Sequence, residues 1–301
     1  MEGVVECAKA GAGAVVLKSI FEEQILAEAA ELEDKSGTSY WHAEAADYIQ
    51  AYGRENALDY YEDLIRSAKK RTRIPIIASV HCVSPGRWTE FASRFEKAGA
   101  DALELNVYIF PADPLRQTAR ANEDAYREIL EAVKRHVNVP VSMKIGSNFS
   151  SLPEMALKLQ TAGANGLVLF NRFYPFDIDV EKMKVAPGPP LSEPSELSNS
   201  LRWVSILSGF VQCDIGASTG VHDGAAVVKQ LLAGADAVQA CSVLYEKGVD
   251  HVGTLVKELS DWMEAHDHTS VAAFKGAMSR DMSSNPAAYE RVQFMKLTTA
   301  R

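Results

Sequence analysis

Ala98-Gly99-Ala100-Asp101 followed by Ala102-Leu103-Glu104-Leu105 is the stretch that decides the fold, because the chain repeats it. Near copies stand at Ala10-Gly11-Ala12-Gly13 before Ala14-Val15-Val16-Leu17 and at Ala162-Gly163-Ala164-Asn165 before Gly166-Leu167-Val168-Leu169. A fourth is Ala233-Gly234-Ala235-Asp236 before Ala237-Val238-Gln239-Ala240. Each reads as a helix end, a glycine cap, a tight turn and a buried strand. That succession is the helix-to-strand joint of a parallel sheet.

Working outward, three more apolar runs fit strands: 74–80 and 139–145, each opening near an X-Pro junction, and 210–215. Helical periodicity fills the intervals at 87–97, 122–135, 153–161 and 224–232. Strand and helix alternate seven times, which predicts an α/β protein of the (β/α)₈ TIM-barrel class in a single domain spanning 1–301. The count is one strand short. Residues 3–10 already read as the helix before the first repeat, so the barrel is expected to lack its first strand at the N-terminus. A shortened start accounts for this, as does closure by some other segment, since folded proteins cover unpaired strand edges. Residues 174–199, rich in proline and without helical period, read as an irregular insertion, either a lid or subunit contact or an inert excursion. A partly helical tail is expected from about 274.

Composition excludes several function classes. Hydrophobic residues make up 47% and charged residues 24%, as in soluble globular domains, so disorder is not expected. No apolar run approaches the roughly 18 residues of a membrane span, and the start lacks a signal-peptide layout, so a cytoplasmic protein without membrane contact is expected. With 31 Lys and Arg against 40 Asp and Glu, the net charge of −9 argues against nucleic acid as a partner. The basic cluster at 69–73 suits a helix C-terminus. Cys7, Cys82, Cys213 and Cys241 form no CxxC pair, so neither a zinc site nor a disulfide framework is suggested.

In such a barrel the chemistry sits where strands hand over to loops. The polar residues there are Lys18-Ser19, His81-Cys82, Asn106, Lys144, Asn171-Arg172, 216–220 and Cys241-Ser242. Two lysines and two asparagines at one mouth suit an anionic or carbonyl-rich ligand, because lysine at a strand end is costly unless paired. The turn Gly216-Ala217-Ser218-Thr219-Gly220, with Cys241-Ser242 after the last strand, occupies the place where barrels commonly bind phosphate. A single asparagine is as readily a turn residue, and His81 reads as a packed histidine.

Taken together, these strand ends resemble the FMN-dependent dihydroorotate dehydrogenase family, and most closely its dihydroorotate dehydrogenase-like branch, from about residue 3 to residue 248. Val15-Val16-Leu17-Lys18-Ser19 looks like the family strand whose Lys-Ser lies beside flavin and substrate. Gly53-Arg54-Glu55-Asn56 resembles its Gly-Leu-Pro-Asn loop, and Leu105-Asn106 the start of its Asn-Leu-Ser-Cys-Pro-Asn motif. Lys144 matches the lysine on the isoalloxazine and Asn171 the asparagine that holds the pyrimidine. Thr219-Gly220 and Cys241-Ser242 match the pairs around the FMN phosphate. The resemblance thus implies FMN bound by Lys18, Ser19, Lys144, Gly216, Thr219, Gly220, Cys241 and Ser242. It implies a small planar substrate such as dihydroorotate held by Asn56, Asn106 and Asn171, with Lys18, Asn106 and Asn171 catalytic, and a homodimer.

The departures define a second expectation. Ile109 stands at the family's catalytic-base position and Pro111 at its second asparagine, and Gln50 replaces a further asparagine. Dihydroorotate oxidation removes a C5 proton as hydride leaves C6, and isoleucine accepts no proton. General-base catalysis is typically worth about 10²–10⁴-fold. Tyr108 and Cys82 are the nearest substitutes, but Tyr108 points away from Ile109 along an extended strand and phenol is a poor base near neutrality. The alternative to an active oxidoreductase is therefore a catalytically silent FMN- or phosphate-binding barrel or partner subunit.

Overall fold

The computed structural model describes residues 1–23, 25, 43–83, 86–110, 112, 113, 115, 117–173 and 175–291. Helix α1 (Glu2–Lys9) leads into the paired segments β1 (Val15–Val16) and β2 (Ile20–Phe21), then α2 (Ala43–Arg71) and β3 (Ile76–His81). Three units continue the alternation: α3 (Arg87–Ala98) with β4 (Ala102–Asn106), α4 (Ala119–Lys134) with β5 (Val141–Ile145), and α5 (Leu152–Thr161) with β6 (Gly166–Leu169). After a hairpin, β7 (Phe176–Asp179) and β8 (Lys184–Pro187), come α6 (Leu197–Leu207), β9 (Asp214–Ala217), α7 (Gly224–Ala233), β10 (Ala237–Val238), α8 (Ser242–Lys247) and α9 (His251–Ala265).

Apart from the hairpin, every strand joins one parallel sheet in the order β1-β3-β4-β5-β6-β9-β10, with β2 continuing β1 alongside β3. Among the described residues seven staves are present, as the repeats predict. The sheet is curled: Gln239, just past β10, donates to Glu104 of β4 at 2.7 Å, although three staves, and so four strand spacings, separate them. In a flat sheet that interval would be about 19 Å at ~4.8 Å per strand. Among the described residues β1 and β10 are the two edges, so the barrel wall is open between them.

The repeated phrase works as read. Its glycines, Gly11, Gly99, Gly163 and Gly234, all have positive φ, from 96° to 116°, a region that side chains with a Cβ avoid. Its fourth residue has a second use. Asp101, Asn165 and Asp236 each accept from a backbone N–H at the start of the neighbouring staff, at Ile76, Val141 and Ile215, over 2.7 to 2.9 Å. The joint thereby fixes where the adjacent strand starts.

Side chains then alternate along each strand. Leu103, Leu105, Val141, Met143, Ile145, Leu167 and Leu169 face outward and are fully buried with Trp88, Phe91, Phe95 and Leu130 of the helices. The opposite, inner face carries Ser79, Glu104, Asn106, Ser142 and Lys144, as the register Ser79↔Glu104↔Ser142 and Asn106↔Lys144 requires. The core lies between sheet and helices, and the polar wall lines the barrel.

Three expectations are corrected. The strand read at 210–215 begins only at Asp214, because Phe210 and Val211 fold back onto the carbonyl of Leu207 as the end of α6. The insertion at 174–199 contains a regular hairpin. The described part of the tail beyond 274 consists of turns and one short 3₁₀ helix, Pro286–Ala288. Gly53-Arg54-Glu55-Asn56 is not a loop at all. It lies inside α2, where Asn56 is exposed on the outer helical layer beside Glu55, which pairs with Arg94 of α3.

Candidate active site

The site begins with a defect in the first stave. Between the pairs Val16↔Ile77 and Ile20↔Val80 the β1–β2 strand spends one residue more than β3, a bulge containing Lys18 and Ser19. This leaves the backbone of Ser79 without a partner on the β1–β2 side. The Tyr61 hydroxyl fills the gap, accepting from Ser79 N–H and donating to Ser79 C=O, both at 3.1 Å. Burial pushes the Tyr61 phenol above its usual range, so it remains a neutral donor.

The bulge aims Ser19 into the barrel. Its hydroxyl meets that of Ser79 at 2.7 Å and accepts from the Asn106 amide at 3.3 Å. Asn106 Oδ1 in turn accepts from the Asn171 amide at 2.6 Å. A continuous polar chain, Ser79–Ser19–Asn106–Asn171, therefore crosses the mouth from β3 to the end of β6. His81 joins it through Nδ1 against the Asn106 carbonyl, at 2.7 Å, and packs between the rings of Phe21 and Trp88. Lys18, beside Ser19, is exposed and forms no ion pair among the described residues.

A second group lies deeper. Lys144 Nζ donates to Gln239 Oε1 at 3.1 Å and stands 3.7 Å from Glu104 Oε1, while Gln239 Nε2 donates to Glu104 Oε2. Neither Glu104 nor Gln239 stands out in the sequence. Only the curl of the sheet brings them to Lys144.

The third group is the small-residue turn after β9. Thr219 and Gly220 both have positive φ, 79° and 76°, and a Cβ on Gly220 would lie 2.3 Å from the Leu197 backbone nitrogen. Glycine is required there. The close neighbour is the strap formed by residues 189–197. Its Ser192, only 6% exposed, accepts from Gly220 N–H at 3.4 Å and donates through both N–H and hydroxyl to Ser242 Oγ at 2.9 Å. Arg172 holds the strap through the carbonyls of Pro189 and Pro190 and the Glu196 carboxylate. Burial works against ionisation of Glu196, but Arg172 and the Glu193 N–H outweigh it and hold the carboxyl below its usual range. Gly216 sits in β9 against Val168, and Cys241, at the head of α8, is exposed.

Beside these groups opens a cavity of about 420 Å³ lined by Tyr108, Phe110, Asn148, Asn171, Phe173 and Thr219. Tyr108 and Ile109 diverge as the strand alternation predicts. The Tyr108 ring faces the cavity beside Phe173, whereas Ile109 packs on the core with its N–H donated to the Tyr126 hydroxyl. Burial raises both the Tyr108 phenol and the Cys82 thiol, which makes each a poorer proton acceptor at neutral pH. Pro111 lies outside the described residues. Of the residues singled out in the sequence, Ser19, Asn106 and Asn171 converge, Lys144 and the small-residue turn flank them, and Asn56 stands apart on α2.

The family model described as Dihydroorotate dehydrogenase matches residues 39–263. The chain belongs to this family. A putative dihydroorotate dehydrogenase A (fumarate) from Aeropyrum pernix is 30% identical over 245 residues, covering 77% of this chain and 79% of that protein. The catalytic subunit of dihydroorotate dehydrogenase B (NAD(+)) from Thermoplasma acidophilum is 27% identical over 274 residues, 90% of this chain and 88% of the relative. A chloroplastic dihydropyrimidine dehydrogenase (NADP(+)) from Arabidopsis thaliana is 25% identical over 68% of this chain and 52% of its own length. Membership makes the protein a dihydroorotate dehydrogenase-like oxidoreductase of the type acting on CH–CH bonds. No described helix is long and apolar enough to cross a membrane.

Proposed function

We propose that this member of the dihydroorotate dehydrogenase family binds FMN at the C-terminal mouth of the barrel and oxidises a small planar dihydropyrimidine of the dihydroorotate class. The observation that carries the reading is the hydrogen-bonded convergence of Ser19, Asn106 and Asn171 beside Lys144 on one wall. The residues present fit the cofactor. Lys144 supplies a cation to the inner wall, and the cavity at the mouth offers apolar rings with asparagine amides. Gly220 N–H already donates to a hydroxyl oxygen, that of Ser192, which a phosphate there would replace.

Bound FMN supplies a two-electron hydride acceptor. The protein's part is orientation and charge. Asn106 and Asn171 present amide groups fixed by their mutual hydrogen bond, suited to the paired carbonyl and N–H edges of a pyrimidine. Lys144 and the exposed Lys18 favour negative charge at the mouth, which a reduced flavin carries. Gly216, Thr219, Gly220, Cys241 and Ser242 form the phosphate end.

Ile109 places no proton acceptor beside this arrangement, and burial raises the Tyr108 phenol and the Cys82 thiol, which leaves less of either as a base at neutrality. This favours a second reading, a barrel that binds FMN but turns over dihydroorotate slowly or not at all. Titrating flavin-free protein with FMN and following flavin fluorescence tests the common part. Saturable binding, weakened about tenfold or more by Lys144→Ala, is expected, since charged hydrogen bonds are typically worth about 1.5–3 kcal/mol. Absence of binding, or binding indifferent to Lys144, would count against both readings.

A further inference from the structure

Within the FMN-binding reading on which it rests, we infer that Glu104 is the positioning residue of Lys144, and that with Gln239 it sets both where the ammonium sits and how much of its charge the site presents. The Glu104 side chain is 3% exposed, on the inner wall of β4, with no role in the helix–sheet core. Its two oxygens divide the work. Oε2 accepts from Gln239 Nε2 at 2.7 Å, and Oε1 faces Lys144 Nζ at 3.7 Å, within coulombic reach but beyond a hydrogen bond. Gln239 closes the ring by accepting from the ammonium with its Oε1.

Such an arrangement is poorly explained by stability. A buried ion pair at this separation recovers little of the desolvation cost of its two charges. It is well explained by presentation. An ammonium carries three donors, and among the described residues only Gln239 takes a hydrogen bond from this one. The remaining N–H groups are free for a ligand, while the carboxylate fixes the head group from one side. The pair is formally neutral, so Glu104 mutes a cation that would otherwise favour the reduced, anionic form of a bound flavin more strongly.

Glu104→Gln tests this, because it keeps the shape and the acceptor while removing the charge. In FMN-loaded protein the variant should bind reduced relative to oxidised flavin about tenfold more tightly, an upward shift of about 30 mV for a two-electron couple. Lys144→Met should move the potential the other way. In the Lys144→Met background the Glu104→Gln shift should largely vanish. No shift, or the same shift in both backgrounds, would overturn the inference.

A second readout needs no flavin. In flavin-free protein, Lys144 of the Glu104→Gln variant should be labelled by an amine reagent about tenfold faster, measured by peptide mass spectrometry. The carboxylate holds the head group from one side, and without it the amine is freer to reach the reagent. Gln239→Leu should act in the same direction, and it serves if Glu104→Gln does not fold. Unchanged labelling in these variants would overturn the inference while leaving FMN binding intact. Faster labelling in a protein that binds no FMN would support the positioning role and overturn the cofactor reading instead.

Discussion

Tyr61→Phe should cost this protein far more than the loss of one hydroxyl from a helix. The bulge at Lys18 and Ser19 breaks the first strand, and Tyr61 OH takes its place against both backbone groups of Ser79. Ser79 is 1% exposed, so neither group has water to turn to. Each buried backbone group left unsatisfied costs about 1–3 kcal/mol, which gives about 2–6 kcal/mol for the pair. At about 2–4 °C per kcal/mol, the melting temperature should fall by roughly 4–24 °C. Urea unfolding of the two proteins followed by circular dichroism reads the free-energy difference directly. A loss below about 0.5 kcal/mol, the range of ordinary surface substitutions, would show that Tyr61 does not complete the sheet.

Two further outcomes follow from the site. Ile109→Cys should raise the rate of flavin reduction by dihydroorotate by about 10²-fold or more if only a base is lacking; no gain in FMN-loaded protein would mean that the substrate pocket has diverged as well. The strap should loosen in acid. Because the Glu196 carboxyl is held below its usual value, its contribution is present above the unfolded value near 4.5 and is lost as the pH falls through the lower folded value. Hydrogen exchange over residues 189–197, corrected for intrinsic rates, should therefore accelerate below about pH 4.5 in the native protein. Glu196→Gln should abolish that dependence, and an unchanged profile in the variant would refute the assignment to Glu196.

The parts of this structure legible in the sequence are those with local causes. The glycine phrase announces each helix-to-strand joint because the left-handed cap and the turn are fixed within a few residues. Asn106, Asn171 and Lys144 were legible as polar ends to apolar runs. Glu104 and Gln239 were not, since 135 residues separate them and only the curled sheet joins them. Ser192 is hidden for the same reason, in a proline-rich stretch whose contact with Ser242 spans 50 residues.

Where local signals competed, context decided. The Gly53–Asn56 motif yields to a long helix whose Glu55, Asp59 and Glu62 all converge on Arg94. The hairpin in the insertion had a readable signal, the alternation Phe176-Asp177-Ile178-Asp179, which the surrounding prolines obscure. The basic helix end at 69–73 finds its use in the Lys69–Asp101 pair, which ties α2 to the joint before β4.

The most direct test of the account is the visible spectrum of FMN-loaded protein during anaerobic addition of dihydroorotate. A flavin band near 450 nm that bleaches, slowly in the native protein and faster in Ile109→Cys, is the predicted result. A band that persists unchanged in both would contradict dihydroorotate as substrate, and failure to take up FMN at all would contradict the central claim.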